Sequence, residues 1–167
     1  MRIDSAPEFV EYWKGVRART ERAIDRIPES DLEWTYAEGR WTPGDIVRHL
    51  AGIERDMYAE NVSGRPSRYP GHGRELAEGL DAVKEYHHRK HEEALALFSA
   101  LTPAQLAGKC VTPAGTPITT YKWLRAMVEH EAHHRGQLYM MLGMRGVSVP
   151  PMYGLTEEEV RARSVTS

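Results

Sequence analysis

His130-Glu131-Ala132-His133-His134-Arg135-Gly136-Gln137 lies inside the last long helical pattern of the chain. Trp123, Met127, His130, His134, Leu138 and Met141 recur three or four residues apart, which is one face of an α-helix. His130 and His134 therefore point from the same apolar stripe, one turn apart. That spacing lets two imidazole nitrogens reach one metal ion at about 2.0–2.1 Å without bending the backbone. Two core histidines bonded to backbone or tyrosine would satisfy the pair equally well, since a buried imidazole needs some partner. His133 points about 60° away and flanks the pair as a polar neighbour.

Three further segments toward the N-terminus show the same period, and no convincing strand alternation appears. The first opens at Ser5 or Ala6 with Pro7 in its first turn. It carries Phe9, Trp13, Val16, Thr20, Ile24 and Ile27 before Pro28 stops it. Thr42 and Pro43 fit the N-cap and first position of the second, and Asp45 suits the positive end of its dipole. Ile46, Leu50, Ile53 and Met57 form its stripe. His49 falls about 40° from Ile53 and about 60° from Ile46, which places it at the interior or its edge and makes it the best third ligand. The third helix is expected over 75–101, with Leu76, Leu80, Val83, Ala94, Phe98 and Leu101 inward. The fourth starts at Thr119 or Thr120 and ends at Gly143 or Gly146. Short helices are expected near 103–108 and 156–163. Residues 63–73 and the stretch through Pro113, Gly115 and Pro117 read as loops; the first is a lid or an exposed connector. The fold class is therefore all-α, a four-helix bundle in one domain over 1–167.

A net charge of -2 and a pI near 6.5 give no electrostatic case for nucleic acid. No apolar run approaches the roughly 18 residues of a membrane span, and the first residues lack the apolar core of a secretory signal. Cys110 is the single cysteine, so no intrachain disulfide can form; it reads as packing rather than as a reactive thiol. These features favour a reducing, cytoplasmic setting.

Other histidines compete for the chemistry. His87 and His91 are also four apart on the inward face of the third helix. Glu85, Arg89, Lys90, Glu92 and Glu93 around them suggest a wet helix middle, so they rank below His130 and His134. They fit a second metal site, the lining of the same pocket, or pairs with carboxylates. His72, in the glycine- and proline-rich loop, is expected to face solvent. His130-Glu131-x-x-His134 matches the short zinc-protease pattern, but no strand signal supplies the sheet edge that holds a peptide. Glu85-x-x-His88 and Glu131-x-x-His134 copy the pair used by di-iron bundles, yet Glu85 and His88 project off the apolar stripe.

Trp41-Thr42-Pro43, His49-Leu50 and His130-x-x-His133-His134-Arg135-Gly136-Gln137 together resemble the DinB/YfiT-like superfamily of bacterial metal-binding four-helix proteins. The resemblance covers nearly the whole chain in helix order and spacing, and the His-His-Arg-Gly-Gln string is its most specific part. It implies an up-down-down-up bundle, a metal held by His49, His130 and His134, and a homodimer, as in many members. It also implies kinship with thiol-dependent bacillithiol transferases and mycothiol-dependent maleylpyruvate isomerases, although many members have no assigned reaction. Arg135 is read as pairing with a carboxylate on a neighbouring helix, Gly136 as allowing a close backbone approach, and Gln137 as orienting a ligand imidazole.

The expected cofactor is one divalent ion, zinc, nickel or iron, since imidazole serves all three. Three neutral ligands leave a coordination position open for a small-molecule substrate, including a low-molecular-weight thiol, in thiol transfer or hydrolysis. Glu131 is the candidate base or outer acceptor. The alternatives are a non-catalytic bundle in which metal stabilises the fold or is sensed, and a metal-free dimerisation module.

Overall fold

A computed structural model describes residues 2–164 of the chain. Helix α1 (Ala6–Ile24) starts at Ser5, whose hydroxyl accepts from Glu8 N–H, and buries Phe9, Trp13, Val16, Thr20 and Ile24. Helix α2 (Pro43–Ile53) opens on a reciprocal cap: Thr42 Oγ1 accepts from Asp45 N–H and Asp45 Oδ2 from Thr42 N–H, both at 3.0 Å. Caps of this kind stabilise a helix by about 1 kcal/mol. The chain runs on through a π-helical stretch (Glu54–Ala59) into a last turn, α3 (Glu60–Val62). Then come α4 (Leu80–Ser99), the short α5 (Pro103–Ala107), the long α6 (Thr120–Met144) and α7 (Glu157–Arg163).

Four details differ from the sequence expectation. Helix α1 ends at Ile24 rather than running to Pro28, although Ile27 is still buried. The third long helix begins at Leu80 rather than near 75, because Gly79 holds φ 84° and Arg74–Leu76 form a separate 3₁₀ turn. The stretch expected as loop around Pro117 is a two-stranded antiparallel hairpin, β1 (Lys109–Val111) with β2 (Pro117–Thr119), too short for alternation to show. The π stretch shifts the phase of its helix, so Glu54, Tyr58 and Ala59 are buried while Ile53 and Met57 are half-buried.

Side-chain pairs fix the direction of each helix. Along α1 and α6, Arg17 meets Glu131 and Thr20 meets Arg135, so these two run parallel. Glu54 meets His91 and Arg55 meets Glu93, while Arg48 donates to the Ala77 carbonyl just before α4, so the α2–α3 rod and α4 are also parallel. Phe9 with Phe98 and Asp25 with Lys84 set α1 antiparallel to α4. His49 with His134 and Tyr58 with Trp123 set the α2–α3 rod antiparallel to α6. This is the up-down-down-up bundle.

Two apolar clusters fill it. One gathers Phe9, Trp13, Tyr58, Phe98, Leu124 and Met127; the other Ile24, Ile46, Leu50, Val83, Leu138 and Leu142. On every long rod the residues between the clusters are polar and buried: Arg17 and Thr20, His49 and Glu54, His87 and His91, Glu131, His134 and Arg135. The candidate site lies in this polar belt. Among the described residues no helix is long and apolar enough to cross a membrane.

Candidate metal centre

The α2–α6 groove brings His49, His130 and His134 together. His49 Nε2 lies 3.0 Å from His130 Nε2, and His134 Nε2 lies 3.1 Å from the same atom. One ligand nitrogen from each falls within 4.8 Å of the others, a group able to hold a metal ion. Two imidazole nitrogens on a tetrahedral cation at ordinary bond lengths stand about 3.3 Å apart, so the observed spacing fits a shared ion. His49 and His134 are buried and His130 is half-buried, so the trio closes off on the core side.

The outer nitrogens of two rings are held. Gln137 Oε1 sits 2.7 Å from His134 Nδ1; a carbonyl oxygen only accepts, so Nδ1 carries the hydrogen and Nε2 presents its lone pair. His49 Nδ1 lies 2.6 Å from the Tyr69 hydroxyl. Trp41 stacks on His134 with ring centres 5.5 Å apart and planes 10° from parallel, and His72 packs on Trp41 at 4.2 Å. Burial, with His134, His130 and His72 adding, pushes His49 down to about 3. Burial, then His134 and His133, pushes His130 down to about 4. Burial also lowers His134, assisted by His133 and opposed by its bond to Gln137. All three rings are therefore neutral near pH 7, the form that ligates a cation.

A model of the DinB superfamily matches residues 12–138. The chain belongs to the DinB superfamily. An uncharacterized protein YrdA of Bacillus subtilis (strain 168) is 22% identical over 155 residues, covering 90% of this chain and 89% of that one. Among solved structures, a DinB-like protein from Bacillus cereus ATCC 10987 superposes with a TM-score of 0.74 at 18% identity, over 89% of this chain and 97% of that one. The DinB-like protein YjoA of Bacillus subtilis gives a TM-score of 0.72 at 20% identity, over 89% and 99%. At these identities the structural likeness establishes the shared fold.

Not every residue singled out in the DinB sequence pattern joins the trio. Glu131 points the other way: its carboxylate oxygens lie 3.2 and 3.3 Å from Arg17 Nη1, and the side chain is 2% exposed. A base for the metal site cannot come from there without breaking that pair. Arg135 donates to the Val16 carbonyl and the Thr20 hydroxyl rather than to a carboxylate. Gly136 is exposed, and a Cβ on it would meet nothing within 4 Å, so no close approach requires it. Gln137 holds His134 as expected, and His133 is an exposed neighbour.

His87 and His91 prove buried rather than wet. Arg17 enters from α1 and pairs with Glu131 and, at 3.3 Å, with Glu54. Glu54 also takes the Trp13 indole N–H at 2.6 Å and faces His91 Nδ1 at 2.8 Å. Burial works against the Glu54 charge, yet Arg17, His91 and Trp13 hold its carboxyl below the ordinary value. The charges that made the segment look wet, Arg89 and Glu93, pair with each other on the outer face. His72 is half-buried against Trp41, which corrects the expectation that it faces solvent. Tyr69 carries no period or motif; its loop position hid it.

Proposed function

We propose that this chain holds one divalent cation, zinc, nickel or iron, on His49, His130 and His134 and uses it on a small-molecule substrate, as a thiol transferase or hydrolase. The observation that supports this most is the convergence of three neutral imidazoles, with the His49 and His134 Nε2 atoms 3.0 and 3.1 Å from that of His130 and two of the outer nitrogens already partnered. A cation held by these three neutral ligands would keep its full charge and an open position, and would supply acidification of a thiol or water entering it. The chain's own contribution is to present lone pairs and to exclude water behind the rings. Gln137 and Trp41 brace His134, and Tyr69 braces His49.

Trp41 and Gln137 also line a cleft of about 230 Å³ with Tyr36, Arg40, Met140 and Met141. Aromatic and methionine side chains beside one guanidinium suit a small substrate with an anionic group. The thiol-transfer arm of the reading draws on the resemblance of the His-His-Arg-Gly-Gln string to thiol-dependent relatives; hydrolysis draws on the open position alone. The chain acts as one domain. The homodimer belongs to the same reading and draws on the resemblance to the superfamily, many of whose members pair.

The test is turnover by zinc-, nickel- and iron-loaded protein against panels of thiol plus electrophile and of esters and amides. Metal-dependent turnover that disappears in His49→Ala is the expected result. A loaded protein inert to every panel would leave the non-catalytic reading, an ion that is sensed or that stabilises the bundle.

A further inference from the structure

His134 finds the partner for its outer nitrogen one turn further along its own helix. His49 finds none on α2; its partner arrives from the 63–73 loop. The Tyr69 ring meets His49 edge to face, with centres 5.4 Å apart. Its seat is Gly52, where a Cβ would come within 3.3 Å of Tyr69 Cε2 and 3.5 Å of Pro70 Cδ. Any side chain at position 52 would press on the phenol that reaches His49.

The loop is tied to the same rod that carries His49. Arg68 N–H donates to the Asp56 carbonyl at 2.7 Å, and Tyr69 N–H to the Ser67 hydroxyl at 3.3 Å. The Arg68 guanidinium reaches the buried Glu60 carboxylate at 3.0 Å, where Arg55 and Arg65 also converge. Past Tyr69, Arg48 Nη1 donates to the His72 carbonyl at 3.4 Å, so bonds on both sides of Tyr69 fix where its hydroxyl sits. A neutral imidazole has one N–H and one lone pair, so whatever accepts at Nδ1 decides that Nε2 is free to ligate.

We propose that Tyr69 is a positioning residue of the metal centre: its phenol oxygen accepts the Nδ1 hydrogen of His49 and so keeps the Nε2 lone pair aimed at His130 and His134. The proposal rests on the reading of that trio as a metal site, and it makes the 63–73 loop a working wall of the centre. Outer partners of ligand histidines typically change metal affinity by about 10–100-fold.

Tyr69→Phe tests this, because it keeps the ring on Gly52 and removes only the oxygen. Zinc affinity, measured by chelator competition, is expected to fall by about 10–100-fold while the metal-free protein keeps its helical circular dichroism at room temperature. Long-range proton–nitrogen NMR of the metal-free protein is expected to show His49 as the Nδ1–H tautomer, and to show a tautomer mixture in Tyr69→Phe. Gly52→Ala, which displaces the ring but spares the oxygen, is expected to weaken zinc in the same direction. Wild-type affinity and an unchanged His49 tautomer in Tyr69→Phe would overturn the proposal. A wild-type chain that takes up no zinc would instead sink the metal reading, and the NMR comparison would still decide what Tyr69 does.

Discussion

Glu131→Gln separates two roles for a residue that sits next to His130 in sequence and points away from it in space. Arg17 lies fully buried between Glu54 and Glu131, with contacts at 3.2–3.3 Å. Glutamine keeps the shape and one acceptor oxygen but loses the charge, and it turns an amide N–H toward a guanidinium that cannot accept. Hydrogen bonds to charged groups contribute about 1.5–3 kcal/mol, so a loss of about 2–3 kcal/mol is expected. Glu131→Ala, which leaves Arg17 short of a partner beside a cavity, is expected to cost about 3–5 kcal/mol. In a chain of this size each kcal/mol lowers the thermal midpoint by about 2–4 °C, so Glu131→Gln should melt roughly 5–10 °C early. Urea unfolding of the metal-free protein measures this, with the slope unchanged from wild type. Zinc affinity of the folded variant should match wild type. Wild-type stability combined with collapsed zinc binding or turnover would refute the reasoning and return Glu131 to the metal.

Burial, then Arg17, His91 and His88, holds folded His87 well below 6.5, whereas the unfolded chain takes up its proton near 6.5. The unfolded state therefore binds more protons below that pH, so this contribution is complete above about 6.5 and is lost on acidification. Urea midpoints measured from pH 7.5 down to 5 should fall, and a flat profile would contradict the burial of His87. Gln137→Leu removes the acceptor on His134 Nδ1; titration calorimetry should show zinc bound about 10–100-fold more weakly, with the helical circular dichroism unchanged. Stripping metal with a chelator should leave most of the helical signal, because the two apolar clusters lie above and below the site; a cooperative loss of helix would favour a structural ion.

The bundle was legible because its start signals are local. Thr42 with Pro43, Thr102 with Pro103, and Thr156 all cap the helices they precede. The trio was legible for the same reason: His130 and His134 share a face at any undistorted helical pitch, and His49 precedes the π stretch that disturbs the phase downstream. Glu54 was not legible. A carboxylate reads as surface until Arg17, from a rod 37 positions earlier, is known to meet it. His87 and His91 were misjudged on their neighbours' charges, since a helix carries a wet face and a buried face through the same seven residues. Tyr69 and His72 sit in an aperiodic loop, where no spacing predicts which side chain turns inward.

X-ray absorption at the metal edge of the loaded protein examines the centre itself. Three imidazole ligands at about 2.0–2.1 Å, recognised by the multiple scattering of their rings, with one or more non-imidazole oxygen neighbours is the expected shell, reduced by one imidazole in His49→Ala. A shell without imidazole scattering, or one that His49→Ala leaves unchanged, would contradict the account.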